Sequence, residues 1–120
     1  MRAAHAFVAD TNHARVRHDR HGLSERRRLN QVAQHWARWM ATHRTVRHNP
    51  YITGQCGNWQ SLGENVGRGP SESAIQRAFM QSPDHRANIL DRAFTQIGIG
   101  IARGRDGRLY VDEVFRRPGN

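Results

Sequence analysis

Three segments of the 120-residue chain hold side chains that can carry protons or a metal ion in turn-like surroundings. They are His48 in Arg-His-Asn-Pro, Glu64 in Leu-Gly-Glu-Asn-Val, and His85 in Ser-Pro-Asp-His-Arg-Ala-Asn-Ile-Leu. Two imidazoles and a carboxylate are the ligand types of a catalytic zinc site, where water takes the open position. A divalent ion (zinc, manganese, magnesium or calcium) on His48, Glu64 and His85 would lower the pKa of that water. Glu64 would then either ligate the ion or accept the proton. The separations of the three match no local metal motif, so spacing alone does not unite them.

Other reactive residue types have plainer readings. His18 and His21 are three apart and could share a cation on one helical face, but Arg17 and Arg20 beside them would repel it. His35 reads as a solvated residue, and His43 as a last-turn imidazole facing the helix C-terminal dipole. Cys56 is the only cysteine, which excludes an intramolecular disulfide. With Gly54, Gln55, Gly57 and Asn58 around it and no adjacent base, it reads as a buried small hydrophobe and not as a nucleophile. Asn65, Ser82 and Asn88 are placed behind the site, satisfying buried polar groups and not touching a ligand. Trp36 faces the expected core, while Trp39 and Trp59 are either core edge or ligand contacts.

These residues must be positioned by a short series of elements. Ala6, Phe7, Ala14 and Val16 give a first helix over 4–19. Ser24 fits as N-cap of a second, whose Leu29, Val32, Ala33, Trp36, Ala37 and Met40 mark one apolar face before the pattern fades at His43. Residues 50–69 are Gly-rich and read as irregular, with a short strand over 62–66. Ser71 caps a third helix lined by Ile75, Ala78 and Phe79, and Ser82-Pro83-Asp84 opens a fourth that runs to Leu90. Ile97, Ile99 and Ile101 alternate with glycines, and an Asp106-Gly107 turn leads into 109–115, which is a hairpin. Helices first and an antiparallel hairpin last make the fold class α+β, one domain over residues 1–120.

Composition narrows the function classes. The formal charge is +9, from 19 basic and 10 acidic residues, and every basic residue is Arg. An all-Arg count points to coding bias, yet such a surface still attracts anionic polymers and lipid. No apolar run approaches a membrane span. Residues 1–8 lack the apolar stretch of a signal peptide.

Gly63-Glu64-Asn65-Val66, Ser82-Pro83-Asp84-His85-Arg86-Ala87-Asn88-Ile89-Leu90 and Phe94-Thr95-Gln96-Ile97-Gly98-Ile99-Gly100 together resemble the bacterial branch of the CAP superfamily. That group includes the cysteine-rich secretory, antigen-5 and pathogenesis-related proteins. The resemblance runs from Phe7 to Phe115. It implies an α-β-α sandwich with a small antiparallel sheet, and a cavity where His48, Glu64 and His85 converge and where many members hold a divalent cation. The chain departs from the eukaryotic pattern in three ways: it has no disulfides, Ser82 stands where a second cavity Glu is expected, and Ala93 where a second His often stands.

The reading preferred from the sequence is a monomeric, non-enzymatic binding module outside the cell, at a cell surface or on a particle such as a virion. Its cleft and basic surface would contact an anionic cell-envelope polymer, lipid or protein. The alternatives are a metal-dependent hydrolase, peptidase or wall-directed, using His48, His85 and Glu64, and nonspecific nucleic-acid binding through Arg26, Arg27 and Arg28.

Overall fold

The apolar stripe of residues 29–40 determines the layer against which the sheet is built. In the computed structural model, which describes residues 2–120, it forms helix α2 (Arg27–His43), with Leu29, Ala33, Trp36, Ala37, Met40 and Ala41 buried. The first helix, α1, covers Arg2–Arg17. Between them a two-residue strand β1 (Ser24–Glu25) was not expected, and it corrects the assignment of Ser24 as a cap. Arg26 is the N-cap of α2 and makes no side-chain cap bond, since a guanidinium has no acceptor, while Ser24 lies in β1 and pairs with the strand that contains Gln96.

A short turn of helix, α3 (Ile52–Gln55), precedes β2 (Trp59–Gly69). β2 is an 11-residue strand where an irregular stretch with a short core strand was expected. Its glycines are tolerated because aromatic rings fill the space that side chains would take: a Cβ on Gly67 would meet Phe79 at 2.8 Å. Helices α4 (Glu72–Gln81) and α5 (Pro83–Ile89) follow, then the hairpin of β3 (Gln96–Arg103) and β4 (Leu109–Pro118). Ser71 caps α4 as expected, accepting a hydrogen bond from the Ala74 N–H.

The sheet order is β1-β3-β4-β2, antiparallel except for the parallel β1–β3 pair. The three layers make the α-β-α sandwich. One face carries Val66, Tyr110 and Val114 against α2. The other carries Ile97, Ile99, Val111 and Phe115 against the helices on the far side, with Phe7, Ile75 and Phe79. Contact with α2 is close enough to dictate glycine: a Cβ on Gly98 or Gly100 would lie 2.2 Å from the backbone of Leu29 or Ala33. This explains the Ile-Gly alternation of β3, whose isoleucines fill one face while the helix backbone occupies the other.

The inward stripe of α1 differs from the expected one. Val16 is 63% exposed, and Ala6 also faces solvent; the buried positions are Ala4, Phe7, Val8, Thr11, Ala14 and Arg15. Ala78 of α4 is likewise exposed, and Gln76 takes an inner position. Arg15 is 1% exposed with no carboxylate partner. Its guanidinium donates to the carbonyls of His21, Ile89, Asp91 and Phe94 at 2.7 to 3.3 Å. Four acceptors make its burial tolerable, because a guanidinium fork can satisfy most of its donors on backbone oxygens.

Candidate functional site

Strand β2 lies at the sheet edge, and alternation along it sends successive side chains to opposite faces. Glu64 points toward the α2 side with its carboxylate buried. Its Oε1 accepts from His48 Nδ1 at 2.7 Å and from the Asn49 backbone N–H at 3.0 Å. A carboxylate only accepts, so Nδ1 carries the hydrogen and Nε2 is left free. The His48 side chain is 70% exposed, so that free nitrogen faces solvent.

The loop that presents His48 is fixed on both sides. Trp36 Nε1 donates to the Arg47 carbonyl at 2.8 Å. Asn49 is buried, accepts from the Tyr51 N–H at 2.9 Å and donates to Gln55 Oε1 at 2.8 Å. Beside the pair opens a cavity of about 290 Å³ with Ile52, Trp59 and Leu62 among its walls. Trp59 is thus a wall of the cleft, its Nε1 donating to the Thr53 carbonyl. Trp39 is a packing residue, stacked between Trp36 at 4.5 Å and His43 at 4.1 Å.

Behind Glu64 lies an acid that the sequence reading missed. Asp112 of β4 faces Val66, one step along the same sheet face from Glu64, and is fully buried. Neither Asp112 oxygen nor Glu64 Oε2 has a hydrogen-bond partner among the described residues. Burial, and then the adjoining Glu64, push the Asp112 carboxyl well above the usual carboxylate range, so it holds its proton. His48, Glu64 and Asp112 therefore form a string from solvent into the core.

His85 does not join that string. It stands on α5, its Nδ1 hydrogen-bonded to Ser82 Oγ at 2.9 Å and its ring stacked 4.8 Å from Phe79. Ser82 precedes α5 as expected but makes no side-chain cap, its hydroxyl being used by His85. Asn65 and Asn88 connect the two halves. Asn88 donates to the Glu64 carbonyl and to Asn65 Oδ1, and Asn65 donates to the His85 carbonyl and to Glu113 Oε1. Glu113 also receives Thr11 Oγ1 at 2.7 Å, and burial raises its carboxyl to about 7.

The expected convergence of His48, Glu64 and His85 is therefore met for the first two only. Among the described residues no group of three or more His, Cys, Asp and Glu is placed to hold a metal ion. The physical reason is the strand: Glu64 is turned to one face, while Asn65, which anchors α5, is turned to the other. One imidazole and one carboxylate are too few protein ligands for the zinc geometries considered, so the pair by itself does not make a zinc site. Cys56 is buried as expected, and burial raises its thiol pKa, which opposes thiolate chemistry.

The sequence profile described as CAP, the cysteine-rich secretory protein family, matches residues 8–115. The chain belongs to the CAP family. Solved structures agree with this CAP fold at low identity. An outer surface protein of Borrelia burgdorferi superposes with a TM-score of 0.84 at 17% identity, over 93% of this chain and 90% of that one. An extracellular SCP-domain protein of Bacillus anthracis gives 0.84 at 23%, over 96% of this chain and 40% of that one. A cysteine-rich secretory protein of Staphylococcus aureus gives 0.81 at 18%, over 97% and 38%. This CAP chain thus spans well under half the length of the last two. Among curated proteins no match is found.

Proposed function

We propose that this CAP domain is a non-enzymatic binding module that works outside the cell and attaches to anionic cell-envelope components. The observation that carries the reading is the state of its charges. Among the described residues, the ion pairs are His5 with Glu25 and His48 with Glu64, and no Arg is paired with a carboxylate. Where the arginines are bonded, they go to backbone carbonyls, as Arg28, Arg92 and Arg116 do, or to neutral side chains, as Arg117 does. The positive surface of a +9 chain is left uncompensated and available to an external polyanion.

Two further points support the reading. The Borrelia and Bacillus neighbours are described as an outer surface protein and an extracellular protein. At the His48 cleft, no group of three or more His, Cys, Asp and Glu is placed to hold a metal ion among the described residues, which favours binding over the metal-hydrolase alternative. No described helix is long and apolar enough to cross a membrane.

The test incubates the purified chain with isolated bacterial walls and measures both retention and the release of soluble fragments. Saturable retention that weakens with salt, without fragments, is expected. Fragment release lost in Glu64→Gln would replace the binding module with a hydrolase.

A further inference from the structure

We infer that the cleft between the end of α2 and the β3–β4 hairpin is a subsite for the phosphodiester groups of a linear envelope polymer. The proposal rests on the binding-module reading and gives it a location and a ligand chemistry. The cleft measures about 520 Å³, and Arg38, Thr42, Arg44, Arg103, Gly104 and Arg105 line it. Four arginines thus border one concavity, and no Asp or Glu is among its lining residues.

The ordinary explanation for arginines at a helix C-terminus is that they cap its free carbonyls. These do not. Among the described residues the side chains of Arg38, Arg44 and Arg105 donate to no protein acceptor, and Arg103 donates only to the Gly107 carbonyl in its own hairpin at 2.9 Å. Arg68 is the residue that reaches the helix end, donating to the Arg44 carbonyl at 3.2 Å. One acid, Asp106, stands exposed beside Gly104, its carboxylate accepting from Tyr110 Oη at 2.6 Å and from the Arg108 N–H at 3.1 Å.

The backbone fixes how the helix ends. Arg44 takes the left-handed C-cap conformation, φ 48°, ψ 45°, that closes α2. It is accompanied by close packing across the cleft floor, where a Cβ on Gly104 would meet Asp106 Oδ1 at 2.6 Å and Tyr110 at 2.8 Å. The hairpin is thereby held against α2, and the arginines of both elements face one space.

The ligand follows from these groups. Guanidinium forks match the paired oxygens of a phosphate, and several unpaired forks around one concavity suit successive phosphates better than a single ion. A polyol phosphate is favoured over a nucleic acid because no aromatic side chain lines the cleft, and single-stranded nucleic acids are gripped by stacking bases on such rings.

The test measures binding of a glycerol phosphate polymer by calorimetry, with polyglutamate and single-stranded DNA of equal charge as comparison ligands. Arg38→Gln/Arg105→Gln removes two exposed forks that bond nothing, and Arg26→Gln/Arg117→Gln removes the same charge elsewhere. Thermal unfolding reports whether each variant is folded. The proposal expects polymer affinity to fall about tenfold in the first variant and little in the second, with polyglutamate bound more weakly than the polymer. Equal losses in both variants would overturn the subsite while leaving the binding module standing. Absence of polymer binding by the unaltered chain would overturn both, and a preference for DNA that is lost in the first variant would reassign the cleft to nucleic acid.

Discussion

Replacing Glu113 with Gln isolates the energetic cost of a buried acid. The Glu113 carboxyl is completely buried and titrates at about 7, against an ordinary 4.5. A difference of about 2.5 pKa values corresponds to about 3 kcal/mol at 1.36 kcal/mol each. The sign follows from proton counting. Below pH of about 4.5 both folded and unfolded chains hold the proton. Between about 4.5 and 7 only the folded chain keeps it, so this contribution to stability declines as pH rises and is gone above about 7. The hydrogen bonds oppose this shift without cancelling it: Thr11 Oγ1 donates to Glu113 Oε2 at 2.7 Å and Asn65 donates to Oε1 at 3.2 Å, both favouring the charged form, so burial alone raises the carboxyl. In Glu113→Gln the amide keeps one oxygen to accept from Asn65 and donates to Thr11, whose own proton can turn to Gln76 Oε1, 3.4 Å away. Urea unfolding followed by Trp fluorescence at pH 4.5, 5.5, 6.5 and 7.5 gives the difference between variant and parent. Glu113→Gln is expected to gain about 3 kcal/mol on its parent across that range, and Asp112, present in both, cancels. A difference that does not change with pH would refute the reasoning.

Three further outcomes can be checked in the same way. Asp112→Asn should stabilise the chain at pH 7, by an amount that shrinks as pH falls, because its acid too is held protonated by burial and by Glu64; chemical denaturation at neutral and at acid pH measures it. Gly100→Ala should cost about 3 kcal/mol or more in urea unfolding, since the new Cβ would stand 2.2 Å from the Ala33 backbone and a helix backbone cannot move aside as a side chain can. Arg15→Met keeps much of the volume but strands four carbonyls, and a drop of about 3 kcal/mol in unfolding free energy is expected.

Periodicity made α2 and the hairpin legible, because Leu29 to Met40 and Ile97 to Ile101 bury one face each in a regular rhythm. Capping chemistry did the same for α4 and α5. β1 was invisible because two residues carry no pattern. β2 was shortened in the reading because its glycines are made acceptable by Phe79 and Phe94, which approach from distant segments. His48 and Glu64 were found through their motifs, but the separation of His85 depends on which face each β2 residue takes, a matter of register. Asp112 and Glu113 did leave a signal: two acids inside the run Tyr110–Phe115 lie on a strand covered on both faces, so neither could avoid burial. Arg15 left none, being one arginine among 19.

The position of the last strand has a consequence for how the chain reaches this state. β4 lies between β3 and β2, so the strand made last becomes an interior member of the sheet. Until it emerges from the ribosome, β2 and β3 have no common partner, and the carbonyls that secure Arg15 are 74 to 79 residues downstream in three of its four bonds. Loop closure over such distances makes folding slow relative to helical proteins of this size. Vectorial synthesis therefore gives the amino-terminal helices little opportunity to settle early. The chain should behave as an all-or-none unit whose nascent form stays open to proteases and chaperones until translation of β4 is complete.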